Sequence, residues 1–214
     1  MDLMRIPRIA IVALFMGGCS WASPIVLNFS FETPGLSGVF QYRPAGSNWI
    51  WNDSVGIAAA GSAFGVTATP DGSQAAFIQK GSSDISQPLT GLVIGQTYLI
   101  SFAAAQRPDA PGTTQEDISS GVGYGGGQDF EVLWGATSLG TFLPNSTTFS
   151  TYFATPFVAT NTSGTLTFHG LDTLGGDRTA FIDAVQVAAP EPQSAATLLT
   201  GFGLILLGLR RRRI

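Results

Sequence analysis

Charge is scarce in these 214 residues. Asp, Glu, Lys and Arg together make up 11%, Lys80 is the single lysine, Cys19 the single cysteine and His169 the single histidine. A helical soluble domain needs Lys, Glu and Arg on its wet faces, so the shortage argues against a helical fold. One cysteine excludes an internal disulfide, and one Cys with one His leaves too few ligands for an ordinary zinc site. Common enzyme signatures are missing as well. No serine sits in a G-x-S-x-G elbow, and "GVGYGGGQ" is not followed by the Lys-Ser/Thr of a phosphate-binding loop. The closest acidic pairs are Glu116 with Asp117 and Asp129 with Glu131. Sequence neighbours of this kind rarely face each other across a cleft as a glycosidase pair must. No catalytic residue is assigned.

What the chain has is glycine (27), phenylalanine (15) and many Ser and Thr residues. Its basic residues are concentrated at the ends: Arg5, Arg8 and Arg210 to Arg213. Between residues 23 and 189 four basic side chains face twelve acidic ones, a charge near −8. Such a body repels phosphate backbones, which argues against nucleic acid or anionic lipid as a partner.

The two ends read as signals. Residues 1–22 carry Arg5 and Arg8, an apolar stretch from Ile9, and small Ser20 and Ala22 at −3 and −1 of a cleavage site, the pattern of a signal peptide. Cleavage after Ala22 would remove Cys19. The competing reading makes "MGGC" a lipobox with Cys19 acylated. At the other end Pro190 and Pro192 stop any regular element. Ala195–Leu209 then runs without charge and ends at four arginines. As a helix those fifteen residues would span roughly 22 Å, short for a hydrocarbon core of about 30 Å. The arginines would stay cytoplasmic and leave the body outside. Residues 190–214, with Pro190-Glu191-Pro192, an apolar run and Arg210, Arg211, Arg212 and Arg213, resemble a PEP-CTERM sorting signal. That resemblance implies a Gram-negative host, processing by an exosortase with a transient transmembrane helix, and delivery to the cell surface or an exopolysaccharide matrix.

Residues 23–189 read as one β-sandwich domain. "IVLNFSF" alternates, placing Ile25, Leu27, Phe29 and Phe31 on one face. "TYLISFAA" does so with Tyr98, Ile100 and Phe102, "DFEVLW" with Phe130, Val132 and Trp134, and "TLTFHG" with Leu166 and Phe168. In "FSTYFATPFV" Phe149, Phe153 and Phe157 recur four apart, and β-branched residues with Pro156 favour strand over helix. Short alternating segments separated by turn clusters predict an all-β jelly-roll sandwich. The ordered set "NFSFETP", "PDGSQAAFIQ", "ISQPLTGLVIGQTYLISFAAAQR" and "TAFIDAVQV" resembles galactose-binding-like jelly rolls, which include carbohydrate-binding modules and DUF642 proteins. The last motif of that family ends Ile-Asp-Asn-Val, and Ala184 stands here in place of Asn. The resemblance implies a non-catalytic domain that binds glycans at loops or on a concave face. A jelly-roll glycan lyase or hydrolase, or a purely structural biofilm-matrix protein, are the alternatives.

Two sets of site residues follow. Sugars stack on aromatic rings and bond to planar polar groups, which nominates Tyr42, Trp49, Trp51, Arg107 and Tyr124, with the indoles alternatively in the core. Asp183 shares parity with apolar Phe181, Val185 and Val187 and needs a partner if it faces inward. First and last strands of a jelly roll can be neighbours, so Asn28, Glu32 and Asp183 are expected to converge on a structural Ca²⁺, a cation that prefers oxygen ligands. Pairing of Asp183 with Arg178, or with backbone N–H groups, is the alternative.

Overall fold

The computed structural model describes residues 24–66, 68–109, 127–173 and 178–189. These form twelve strands: β1 (Phe40–Tyr42), β2 (Ile50–Asn52), β3 (Val55–Ala59), β4 (Gln74–Ile78), β5 (Asp84–Thr90), β6 (Thr97–Gln106), β7 (Phe130–Trp134), β8 (Thr137–Phe142), β9 (Ser150–Phe153), β10 (Phe157–Val158), β11 (Ser163–Gly170) and β12 (Ala180–Ala188). The strands make two antiparallel sheets. The larger runs β1-β3-β4-β12-β6-β10, with β9 also on β6, and the smaller runs β2-β5-β11-β7-β8. The chain crosses between the sheets repeatedly, as the expected all-β sandwich requires.

The inter-sheet core follows the alternation. Tyr98, Ile100 and Phe102 of β6 face Phe130 and Val132 of β7 and Leu166 and Phe168 of β11, all buried. Phe102 is the hub of this layer, with Phe168 at 5.3 Å, Phe130 at 5.7 Å and Tyr152 at 5.8 Å between ring centroids. Offset and edge-on pairs of this kind add to area burial.

Strands β3 and β4 are buried at every position, not at every second one. Val55, Ile57, Ala76 and Ile78 face the inter-sheet core, while Ala58, Ala75 and Phe77 join Phe64, Val66, Ala105 and Phe181 in a second apolar layer on the opposite face. Small residues make this two-sided packing possible. A Cβ on Gly56 would stand 2.2 Å from the Gln41 carbonyl and 2.7 Å from the Phe77 ring.

Three expectations about facing are corrected. The opening segment is not a strand that buries Ile25, Leu27 and Phe29. Those three are exposed, and Val26 and Phe31 are buried instead. Gln87 accounts for this, because its side chain accepts from the Leu27 amide (2.9 Å) and donates to the Leu27 carbonyl (2.9 Å), fixing Val26 inward. A turn at 28–31, with Asn28 and Phe31 both at positive φ, then re-aims Phe31. Phe153 is exposed, whereas Tyr152 stacks on Phe102 and Phe149 packs on the second apolar layer. Finally, the pairing of β12 with β6 shifts between Asp183 and Gln186, with Ala184 at φ 50°. This bulge reverses parity. Asp183 stays with Phe181 on the outer side, while Val185 and Val187 face the inter-sheet core.

Candidate functional site

The second apolar layer is open at its β1 edge. Phe40 and Tyr42 share one face of β1, are about 40% exposed, and lie edge-on at 6.0 Å. Both rings contact Phe64, at 4.7 and 6.3 Å, and Tyr42 also meets Phe77 at 5.0 Å. The guanidinium of Arg107 lies 4.6 Å over the Phe64 ring and donates to the Ala63 carbonyl at 3.1 Å. The Tyr42 hydroxyl donates to Gln79 Oε1, and Gln79 Nε2 in turn donates to Thr179 Oγ1. Two predicted ligand-binding residues distant in sequence, Tyr42 and Arg107, are thus brought to one patch through Phe64. Phe40 and Phe64 were not singled out from the sequence. Phe40 was legible as the ring two positions before Tyr42, whereas nothing in the sequence places Phe64 beside either residue.

The two indoles belong elsewhere. Trp49 is buried against Phe31 at 5.0 Å, with its N–H donated to the Asn28 carbonyl at 3.0 Å. Trp51 is partly buried and packs on the same core, with its N–H donated to Ser47 Oγ at 2.6 Å. Both are core side chains with satisfied donors. Tyr124, most of the Pro108–Gln128 loop and the sorting motif lie outside the described residues.

The predicted metal residues come together only in part. Asn28 Nδ2 donates to the Thr33 and Ser47 carbonyls at 2.8 Å each, and its Oδ1 accepts from the Thr33 amide at 3.0 Å, so it braces the turn. Glu32 accepts from the Ser73 and Gln74 amides at 2.9 and 2.8 Å. Asp183, with no exposed surface, accepts from the Asp71 amide at 3.1 Å and the Ala184 amide at 2.7 Å. Glu32 and Asp183 therefore grip the same loop, 71–74, from two sides. Burial, reinforced by the nearby charges of Asp71 and Glu32, pushes the Asp183 carboxyl up to about 7 against the pull of its two backbone donors. Arg178 pairs with Asp172 at 3.2 Å rather than with Asp183. Among the described residues no group of three or more His, Cys, Asp or Glu side chains is arranged to hold a metal.

The smaller sheet carries a polar row on its outer face. In register across β2, β5, β11, β7 and β8 stand Asn52, Asp84, His169, Glu131 and Thr141. His169 Nδ1 lies 2.6 Å from Asp84 Oδ1, and Asn52 Nδ2 donates to Asp84 Oδ2 at 3.3 Å. The sequence predicts His169 outward. Its partner Asp84, 85 positions away, had no local signal.

No family model and no curated protein matches the chain. Solved structures do. A Stig cyclase from Fischerella sp. TAU, in complex with an indole compound, is 21% identical over 78% of this chain and 97% of its own, with a TM-score of 0.54. A second cyclase structure from Fischerella sp., in the apo form, is 20% identical with a TM-score of 0.53, covering 79% of this chain and 96% of its own. A carbohydrate-binding module, TmCBM61 with β-1,4-galactotriose bound, is 15% identical over 79% of this chain and all of its own, at a TM-score of 0.47. The cyclase likeness establishes a shared β-sandwich fold.

Proposed function

We propose that this chain is an exported, non-catalytic galactose-binding-like β-sandwich that binds carbohydrate at the cell surface or in an exopolysaccharide matrix. The observation that carries the proposal is the Phe40–Tyr42 ring pair, left exposed at a sheet edge beside Arg107. A sugar ring stacks its C–H face on aromatic carbon and takes hydrogen bonds from a planar donor such as guanidinium. Phe64 and Phe77 hold these groups from below, so little ordering is needed on binding. The near −8 charge of residues 23–189 disfavours polyanions and points to a neutral glycan. A glycan array run with neutral and uronic-acid polysaccharides tests this: selective retention of neutral polymers supports it, and binding to none of them rejects it.

Export rests on the two terminal signals. In this reading an exosortase recognises Pro190-Glu191-Pro192 while Ala195–Leu209 is held in the inner membrane and Arg210–Arg213 remain cytoplasmic. Release near Glu191 frees the domain outward. Mass spectrometry of the surface-exposed form tests this, because a product that retains Arg210–Arg213 contradicts it.

A calcium ion at the Asp183–Glu32 edge is the second reading. The supporting observation is a fully buried carboxylate facing two like charges, Asp71 and Glu32, with hard oxygen donors and no cationic side chain among the contacts that set its ionisation. Calcium bound there would neutralise these charges and tie loop 71–74 to β12. Asn28 is not available to it, its amide being committed to Thr33 and Ser47. Chelation should then lower the melting temperature at neutral pH and calcium should restore it; equal melting in both conditions ends this reading.

A further inference from the structure

The chain enters and leaves the sandwich at the same place. Pro24, Val26 and Phe29 of the opening segment and Val185, Val187 and Ala188 of β12 line one cleft of about 300 Å³. The two segments are joined by the Val185 amide donating to the Phe29 carbonyl at 3.0 Å. Beside this cleft the opening segment turns Ile25 (75% exposed), Leu27 (53%) and Phe29 to solvent. Ile25 and Leu27 flank inward-facing Val26, with the Leu27 backbone held by Gln87, and Phe29 follows in the turn where Asn28 stands at φ 50°. Ile25 and Leu27, with the exposed part of Phe29 at the cleft wall, make an apolar stripe on a segment outside both sheets, and such a stripe marks a contact surface.

The sequence on either side of the cleft says what would meet it. Six residues, Ala189 to Ser194, separate the end of β12 from the apolar run that begins at Ala195. Fully extended they reach roughly 20 Å. On the other side only Ser23 separates Pro24 from the expected signal-peptide boundary. Both membrane-directed segments therefore attach at the end of the sandwich that carries the apolar stripe. From this we infer that, until the C-terminal segment is cut, Ile25, Leu27 and Phe29 rest in the interface of the lipid bilayer, so the domain waits with its chain-entry end against the membrane and its β1 edge and polar row free. This deepens the sorting proposal and rests on it. The acidic body gives no attraction to anionic headgroups, so the contact is apolar and insensitive to salt.

The chain from Ser23 to Ile214, which lacks cysteine, with a single introduced cysteine tests this in vesicles of phosphatidylcholine containing a spin-labelled lipid quencher. One variant carries an environment-sensitive fluorophore at Leu27→Cys, the other at Ser86→Cys on the outer face of the smaller sheet. The label at position 27 is expected to be quenched several-fold more than that at 86, equally at low and high salt, and the difference to shrink when Ile25 and Phe29 are both changed to Ser. Chain that floats with the vesicles but shows equal, weak quenching at 27 and 86 overturns the inference and leaves the sorting reading standing. Chain that does not float overturns both.

Discussion

The guanidinium of Arg107 stands 4.6 Å over the ring of Phe64, at the point where β6 gives way to the loop beginning at Pro108. Phe64 also contacts Phe40, Phe77 and Phe181, so one ring supports both the cation and the exposed aromatic pair. Phe64→Ala should therefore destabilise the domain by about 3–5 kcal/mol, the usual cost of deleting a buried phenylalanine. Phe64→Leu should keep most of the stability while loosening Arg107 and Tyr42. Chemical denaturation measures the first effect. A Phe64→Ala domain as stable as the parent would mean that the second apolar layer does not hold the site.

Asp183 makes stability depend on pH in an unusual direction. Its carboxyl is raised from an ordinary 3.8 to about 7, so the folded chain holds a proton that the unfolded chain has already released. The stabilising contribution is full below about pH 4 and is lost as pH rises through 7, by at most about 1.4 kcal/mol per unit. In chelator, the melting temperature of the parent chain relative to Asp183→Asn should fall between pH 4 and 7. A parallel pair of profiles would show that this carboxyl is not held protonated.

Ala184 occupies a left-handed position, φ 50°, that an L residue with a plain Cβ adopts at a cost. The galactose-binding-like motif that this segment resembles carries Asn here, a residue that tolerates this region. Ala184→Asn or Ala184→Gly should raise stability by about 0.5–1 kcal/mol. Thermal unfolding checks it, and a loss on both substitutions would contradict the bulge geometry of β12.

Gln87, almost fully buried, makes three backbone contacts, with the Leu27 amide, the Leu27 carbonyl and the Asn48 carbonyl. Gln87→Leu keeps the volume but leaves those groups unpaired. It should cost about 1–3 kcal/mol and release the opening segment, seen as faster amide exchange at Leu27. Unchanged exchange there would contradict the clamp.

Regular alternation made much of the fold legible. β6 and β11 bury the residues their period-two pattern predicts, and β7 buries Phe130 and Val132 with Trp134 half-buried, because each has one face on the inter-sheet core. The opening segment departs from its pattern because its apolar residues alternate like a strand while the Gln87 side-chain amide and the turn at Asn28, not a ladder, decide which of them turn inward. β3 and β4 lacked alternation because both faces are covered. The parity of Asp183 broke at a bulge that a sequence pattern does not display. Of the candidate site, Tyr42 and Arg107 were legible as residue types, but their meeting on Phe64 is a tertiary fact. That Trp49 and Trp51 pack on the core, with N–H groups accepted by the Asn28 carbonyl and Ser47 Oγ, is likewise set by tertiary contacts.

In the proposed function, sugar binds the exposed Phe40–Tyr42 edge and not the indoles. Isothermal titration of a neutral polysaccharide retained on the glycan array measures it, with Tyr42→Ala set against Trp51→Phe. Loss of a stacking ring should weaken binding at least tenfold in Tyr42→Ala while the fold survives. Trp51→Phe should lower the melting temperature and leave affinity unchanged. Undiminished binding by Tyr42→Ala, or loss of binding in a folded Trp51→Phe, would contradict the account.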